Sequence, residues 1–520
     1  NITETGAQIR SLIIDENGNE GVGIFIPGSG GGQVVYSTDW SQTTDNSCDY
    51  NVPQSYNQSY VHMSAGEVNK ILVTRHVNNG SGHARVYDYN EETDEWGKFN
   101  ADGSFTANTP YNMDRSGVSG HYGLTSGISM DGMSFVVGGY NNSAQGCMYV
   151  WQFDNETKEW GKFNANGSFT AGESHDLSIN SSAGVHYGHN FKSQISFNGK
   201  RVATGGHAGS YNRIYIWDYD EETAQWGKIE QSTGNFVPRD GNGFLPNWIT
   251  TPSTEAQGRM MSADGYTMLA SRHTSSTAGH AYIWKYNKET FEWGKFNSDG
   301  SFTKDAYWDL SRSGIHAHYG LSCQSIDLSA DGKTAIIGGY HNSNHGVVVI
   351  WQYNEETHEW GKWMPDGTFM AGGNTSGHGY PDTAGYVIQK SSQAGHWGQD
   401  MSISADGKTF SISGHGQHTM WLYEYDPETA HWGKFDSNGN FIKWDEDSEY
   451  TNGGGIRIYN TVSNFGVYCE LSPDNKFVCS AANVSNIQVY KGVIREERGY
   501  VLGGGGTTNE LASIQRTTIS

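Results

Sequence analysis

Basic residues are scarce in this 520-residue chain: 33 Lys and Arg stand against 56 Asp and Glu, for a formal charge of −23. Such a surface repels phosphate backbones instead of releasing their counterions, which argues against nucleic acid as a partner. Long hydrophobic stretches are missing too. No run approaches the roughly 18 apolar residues of a membrane-crossing helix, and no polybasic cluster invites anionic lipid, so no membrane span is expected. Cysteine is rare, with five residues, and Cys48, Cys147 and Cys323 match neither a disulfide framework nor a zinc pattern. Only Cys469 and Cys479, flanking the turn Ser472-Pro-Asp-Asn475, are placed to face each other across a hairpin. They are the candidate disulfide, with two buried thiols as the competing reading.

What the chain has instead is repetition. The phrase Tyr353-Asn-Glu-Glu-Thr-His-Glu-Trp360-Gly-Lys has sister copies whose tryptophans are Trp96, Trp160, Trp226, Trp293 and Trp432, at steps of 64, 66, 67, 67 and 72 residues. A fixed period of this kind belongs to repeat architectures. A second marker, Ser-x-Asp-Gly, begins at Ser64, Ser129, Ser196, Ser262, Ser329, Ser404 and Ser472, with the first and last copies distorted as terminal repeats usually are. Seven copies predict seven units. Glycine, at 69 residues, is close to twice its usual share of roughly 7 %, as many short strands joined by tight turns require.

Within one copy, Gly320 to Ser329 reads as a first strand, and Asp331-Gly332 as the reversal into Thr334-Ala-Ile-Ile337. Gly346 to Tyr353 follows as the third strand, and Glu359 to Trp363 as the fourth. The third carries apolar residues at consecutive positions, so both its faces must be covered. Sheets packed face to face around a ring satisfy this, which selects an all-β, seven-bladed β-propeller of four-stranded antiparallel blades over a barrel or a single sandwich. The tryptophans at 96, 160, 226, 293, 360 and 432 are then structural aromatic anchors between blades. Seven units share only six Trp-Gly-Lys hairpins, so the ring needs a closing strand. Residues 33–40, within Gln33-Val-Val-Tyr36-Ser-Thr-Asp-Trp40, are the expected N-terminal donor, with Gly499-Tyr-Val-Leu502 as the competitor. The expected division is an N-terminal extension (1–32), the ring (33–493) and a C-terminal extension (494–520).

A diglycine at a strand end, then a Tyr, a polar turn and a Trp, resembles the kelch repeat. Gly138-Gly139, Gly205-Gly206 and Gly338-Gly339 carry the first element, and Tyr89/Trp96, Tyr219/Trp226, Tyr286/Trp293, Tyr353/Trp360 and Tyr425/Trp432 the second. The diglycine is replaced at Thr74-Arg75, Ser271-Arg272, Ser413-Gly414 and Ala481-Ala482. The frame is also similar to FG-GAP-like propeller arrays. Both likenesses imply a propeller, and neither fixes a ligand.

His121-Tyr-Gly123, His186-Tyr-Gly188, His318-Tyr-Gly320 and His396-Trp-Gly398 recur at the head of the first strand. These four histidines are candidate ligand residues at a channel mouth, set against repeated packing as the plainer account. The Asp-Gly turns offer one carboxylate each where calcium wants 6–8 oxygens, and no nucleophile-elbow motif is present. The expectation is therefore no catalytic residues, no metal, no cofactor and no enzyme. The Asn-x-Ser/Thr sites at Asn57, Asn79, Asn141, Asn166, Asn180 and Asn374 are candidates for N-glycosylation, beside Asn1, Asn155 and Asn483. The expected role is a structural or adhesive propeller on an extracellular or virion surface, assembling into a homo-oligomer or polymer through its terminal segments. The alternative is a glycan-binding propeller or a polysaccharide-acting oxidase or lyase. Glycan contact is suggested by the abundance of Tyr, Trp and Asn, with the connections 104–120 and 370–397 as the places for variable contacts.

Overall fold

The structure is a computed structural model. It describes residues 59–499 apart from 78–80, 116–121, 141–145, 180–192, 209–210, 232, 241–243, 245, 253–257, 276–277, 314–318, 321–324, 342–344, 373–384, 391–396, 415–417, 436–439, 445–454, 460–464, 467, 482–485 and 492–493, together with five short strands before residue 59. The regular elements among these residues are strands. Two compact units emerge, one of residues 38–493 and one combining 1–37 with 494–520.

The larger unit is a ring of seven antiparallel sheets. Blade five shows the pattern. Its strands Ile326–Leu328, Thr334–His341, His345–Asn354 and Glu359–Trp363 form the expected meander. Val347, Val348, Val349, Ile350 and Trp351 of the third strand are all essentially buried. Val347, Val349 and Trp351 join a core shared with blade four, whereas Val348 and Ile350 join one shared with blade six. Consecutive apolar residues thus line two different interfaces, which is why this strand does not alternate.

The blades have more than the four strands anticipated. In blade five the five-residue fourth strand covers only one end of the third, where Gln352 pairs with Gly361. It then folds back into Phe369–Ala371. The other end of the third strand is paired by the returning Tyr386–Lys390, with Ile350 opposite Tyr386 and Gly346 opposite Lys390. A ten-residue strand beside a five-residue one would expose unpaired backbone, and the return strand fills that gap. The glycine of Trp-Gly-Lys belongs to this arrangement. A Cβ at Gly361 would lie 2.0 Å from the Met370 carbonyl oxygen, and one at Gly97 would lie 2.8 Å from the ring of Phe105.

The Ser-x-Asp turns link the blades into a closed floor. Inside most turns the serine hydroxyl donates to the acid (to Asn198 in blade three), as Ser329 Oγ does to Asp331 (2.7 Å), and accepts a backbone N–H, here that of Thr334 (2.9 Å). Between turns, backbone N–H groups donate to the next blade's carbonyl: Ala65 to Met130 (2.8 Å), Asp131 to Phe197 (3.4 Å), Phe197 to Ala263 (2.5 Å), Asp264 to Ala330, Ala330 to Ala405 and Ala405 to Pro473 (3.0 Å each). The seventh link is a side chain, Asn69 Nδ2 donating to Asp474 Oδ2 at 3.0 Å. The count of seven read from these turns is therefore also the count of bonds around the floor.

Blade seven is completed from the N-terminal side, but not by the described part of the expected donor, Gln33 to Tyr36. Ser41–Gln42 and Cys48–Asp49 pair with Asn486–Lys491. Gly32–Tyr36 instead pairs with Ile494–Gly499 as a two-stranded sheet of the smaller unit. The Cys469–Cys479 bridge is likewise corrected. Cys469 lies opposite Ser480, and Glu470 opposite Cys479, so the two cysteines face opposite sides of the blade and enter different cores. The Cys469 thiol donates to the Asp400 carbonyl at 3.3 Å.

Candidate functional site: a rim cleft between blades five and six

Among the described residues, those singled out in the sequence do not gather at one place. His121, His186, His318 and His396 lie outside the described residues, as do Asn57, Asn79, Asn141, Asn180 and Asn374. The partners of the histidines in their motif are packing groups. Tyr319 is fully buried, donates to the Leu310 carbonyl (3.1 Å) and accepts from Trp351 Nε1 (3.2 Å), and Gly320 follows at a φ of 68°. Burial pushes the Tyr319 hydroxyl well above its ordinary pKa, so it stays a donor. Each anchor tryptophan is buried in a core shared with the preceding blade, Trp360 with blade four and Trp96 with blade seven among them. Asn166 is exposed on a hairpin tip, where its Oδ1 accepts from Ser168 Oγ at 2.6 Å. Among the described residues no group of three or more His, Cys, Asp or Glu is placed to hold a metal ion.

A different pattern appears at the outer part of the interfaces. A cation in the second or third strand of one blade sits over an aromatic ring in the third strand of the next: Lys70 over Phe153 at 4.2 Å, Arg201 over Tyr286 at 4.4 Å, Lys285 over Tyr353 at 4.3 Å and Lys491 over Tyr89 at 5.1 Å. The last of these joins blade seven to blade one. Between blades two and three, and between five and six, glutamines take this place. Gln152 stands beside Tyr219 and Gln352 beside Tyr425.

Both glutamine interfaces border clefts. The smaller, of about 210 Å³, is lined by His175, Asp176, Ala224, Trp226 and Arg239. Here His175 Nε2 bonds Gln152 Oε1 at 2.9 Å, and burial lowers its pKa to about 4. The larger, of about 580 Å³, lies between the hairpin tip of blade five and the turn of blade six. Its walls are Gln352, Trp363, Pro365, Asp366, Tyr425 and Pro427, with Met364 and Glu428 beside them.

Each wall has a local cause. Trp363 ends the fourth strand with its N–H donated to Gln352 Oε1 (3.2 Å), and Phe369 from the adjoining strand braces the indole at a centroid distance of 5.1 Å and an angle of 64°. The indole remains 36 % exposed, against 1 % for Trp360 three residues earlier. Asp366 Oδ1 accepts from Thr368 Oγ1 (2.6 Å) and from Thr368 N–H (3.0 Å), which holds its carboxyl below the ordinary range. Asp426 caps the opposite turn by accepting from Thr429 Oγ1 at 2.6 Å, leaving Pro427 and Glu428 exposed at its tip. Burial raises the Tyr425 pKa, so its hydroxyl stays protonated.

This site was absent from the residues selected by motif. Its signal is departure from the repeat: Trp363 stands where the other copies have Phe99, Phe163, Ile229, Phe296 and Phe435. Met364-Pro365 replaces pairs such as Asn100-Ala101 and Asn297-Ser298, and Pro427 replaces Glu91, Asn155, Glu221, Lys288 and Glu355.

No protein-family model and no curated protein matches the chain. Solved structures do share the fold. They include hydrazine synthase of Kuenenia stuttgartiensis, at 12 % identity and a TM-score of 0.43, covering 85 % of this chain and 99 % of that one. The periplasmic gluconolactonase of Pseudomonas aeruginosa matches at 15 % and 0.40, covering 78 % and 93 %. The Cps50 (Swd1) β-propeller domain of Myceliophteria thermophila matches at 10 % and 0.42, covering 85 % and 99 %. The chain is a seven-bladed β-propeller. Its kelch-like and FG-GAP-like motifs bear on this architecture alone. The expectation that the chain is no enzyme does not stand: the solved structures similar to it include ones titled as a gluconolactonase and a hydrazine synthase.

Proposed function

We propose that this propeller is a structural or adhesive recognition module of an extracellular or particle surface, a stiff ring that meets its ligand at the rim cleft between blades five and six. One observation carries the reading. The residues that break the repeat at Trp363, Met364, Pro365 and Pro427 come from two copies some 60 positions apart in the chain, yet they line one cleft. Repeated residues serve closure, as the floor and the cation clasps illustrate, whereas exceptions that gather in space serve something the repeat does not need.

The test is attachment of the purified chain to whole cells or particles of its source. Met364→Arg, which places a long cation at the cleft wall, is expected to abolish attachment. Asn297→Arg, at the matching hairpin position of blade four, leaves it intact. Equal attachment by both variants, or none by the parent chain, overturns the reading.

A second role, self-assembly through the terminal segments, is favoured by the pairing of Gly32–Tyr36 with Ile494–Gly499. A two-stranded antiparallel sheet is marginal alone and gains from a further strand, which a second copy supplies. Deleting residues 494–520 is expected to reduce the sedimenting species to monomers. An unchanged sedimentation profile rules this role out.

A further inference from the structure

We infer that the cleft between blades five and six is a saccharide subsite for a neutral sugar, with Trp363 as the stacking platform and the carboxylates of Asp366 and Glu428 as acceptors for its hydroxyls. The inference rests on the recognition role proposed above and names its ligand class.

Three features select this chemistry. The first is a preorganised aromatic surface. Trp363 is exposed, yet Phe369 holds its ring from within the same hairpin and its backbone N–H is tied to Gln352. The apolar face of a pyranose stacks on such a platform without the platform having to be ordered first. The second is charge. Asp366 and Glu428 line the cleft, no Lys or Arg among the described residues does, and the whole chain carries −23, so an acidic sugar or a phosphate ester is disfavoured. The third is shape. The chain has only 10 prolines, and two of them, Pro365 and Pro427, stand on opposite walls of this one cleft. Their rings fix φ, so the walls are stiff. A volume of about 580 Å³ falls within the range of sites for small ligands.

A proline-rich peptide, the other common guest of a groove lined with Trp, Tyr and Pro, is a poorer match. Its exposed backbone offers carbonyl acceptors and few donors, which carboxylates repel. Sugar hydroxyls bring the donors these acceptors require. A quaternary ammonium needs aromatic faces on several sides, and here a single exposed indole, Trp363, stands beside the half-buried Tyr425.

The experiment is calorimetric titration of the full chain with maltotriose, cellotriose, mannotriose and chitotriose. A proline-rich peptide, tetramethylammonium and a heparin oligosaccharide are the competing probes. At least one neutral trisaccharide is expected to saturate the chain at up to millimolar concentration. Trp363→Ala is expected to weaken that binding about tenfold or more, the loss typical of an aromatic hot spot. Trp248→Ala, at an indole 40 % exposed on blade three, is expected to leave it unchanged. Circular dichroism of the two variants checks that both remain folded. Saccharide binding that survives Trp363→Ala overturns the inference, as does binding of only the peptide, the ammonium ion or heparin. Binding of no probe overturns it as well. If Met364→Arg still abolishes surface attachment in those cases, the recognition role stands and only the ligand class falls.

Discussion

The interfaces on the two sides of blade five use the same repeat positions and reach different ends. Toward blade four, Lys285 sits over the Tyr353 ring and reaches Thr267 Oγ1 at 3.2 Å and the Gly332 carbonyl at 3.4 Å. Toward blade six, the equivalent residue is Gln352, which lies beside Tyr425 and whose Oε1 accepts the Trp363 N–H. The first side is a clasp, and the second borders a cleft. A neighbouring pair of side chains states the same contrast: Trp360 is buried in the core shared with blade four, while Trp363 opens onto the cleft. In a ring of repeats, what is common holds the blades together and what is particular is available for recognition.

The comparison breaks most plainly at the two tryptophans. Trp360→Ala should cost about 3–5 kcal/mol in denaturant melts, the usual range for deleting a packed aromatic, and a loss below about 1 kcal/mol would mean the clasped side is not a core. The other glutamine interface carries a pH signature. His175 has a folded pKa of about 4 against an ordinary 6.5, so the unfolded chain binds the proton more readily in between. The stability it contributes is complete above about pH 6.5 and is lost as the pH falls through about 4. His175→Gln should remove roughly 1–3 kcal/mol of that acid sensitivity, discounted for partial exposure. Parallel pH–melting curves for parent and variant would refute the assignment.

Lys285→Gln should convert the clasp to the glutamine type at a cost of about 1 kcal/mol, the scale of a partly desolvated cation–π contact. Urea titrations measure it, and a gain in stability would show that desolvation outweighs the contact. Trp363→Ala should move the melting midpoint least, by under about 0.5 kcal/mol, as at other surface positions. A larger loss would make that indole a structural residue and sharpen the contrast with Trp360 no further.

Seven blades were legible because the Ser-x-Asp turn, with Asn198 for the acid in blade three, is a hydrogen-bonded unit whose serine recurs in all seven copies. The double-sided third strand was legible for a similar reason, since Val347 to Trp351 must satisfy two cores at once. The short flanking strands were not. Three residues such as Phe369–Ala371 carry too little alternation to be recognised, and Ser41–Gln42 is only two residues long. The cysteine pair misled because Cys469 and Cys479 look symmetric about the turn, while the register places Cys469 opposite Ser480, and a one-residue offset reverses the face. The cleft was invisible for a different reason. It consists of deviations in separate copies, and a search for what recurs discards them.

The closing seam also decides how the ring gives way under tension. Ser41 lies opposite Lys491 and Gln42 opposite Tyr490, so the outgoing ends of the two segments leave the seam on the same side. A pull between them parts these contacts one after another, as a zip opens, instead of shearing a whole row together. Opening it fully would also have to part the seventh floor link, Asn69 to Asp474, and the clasp of Lys491 over Tyr89, so the short strand pairs yield first and the floor last.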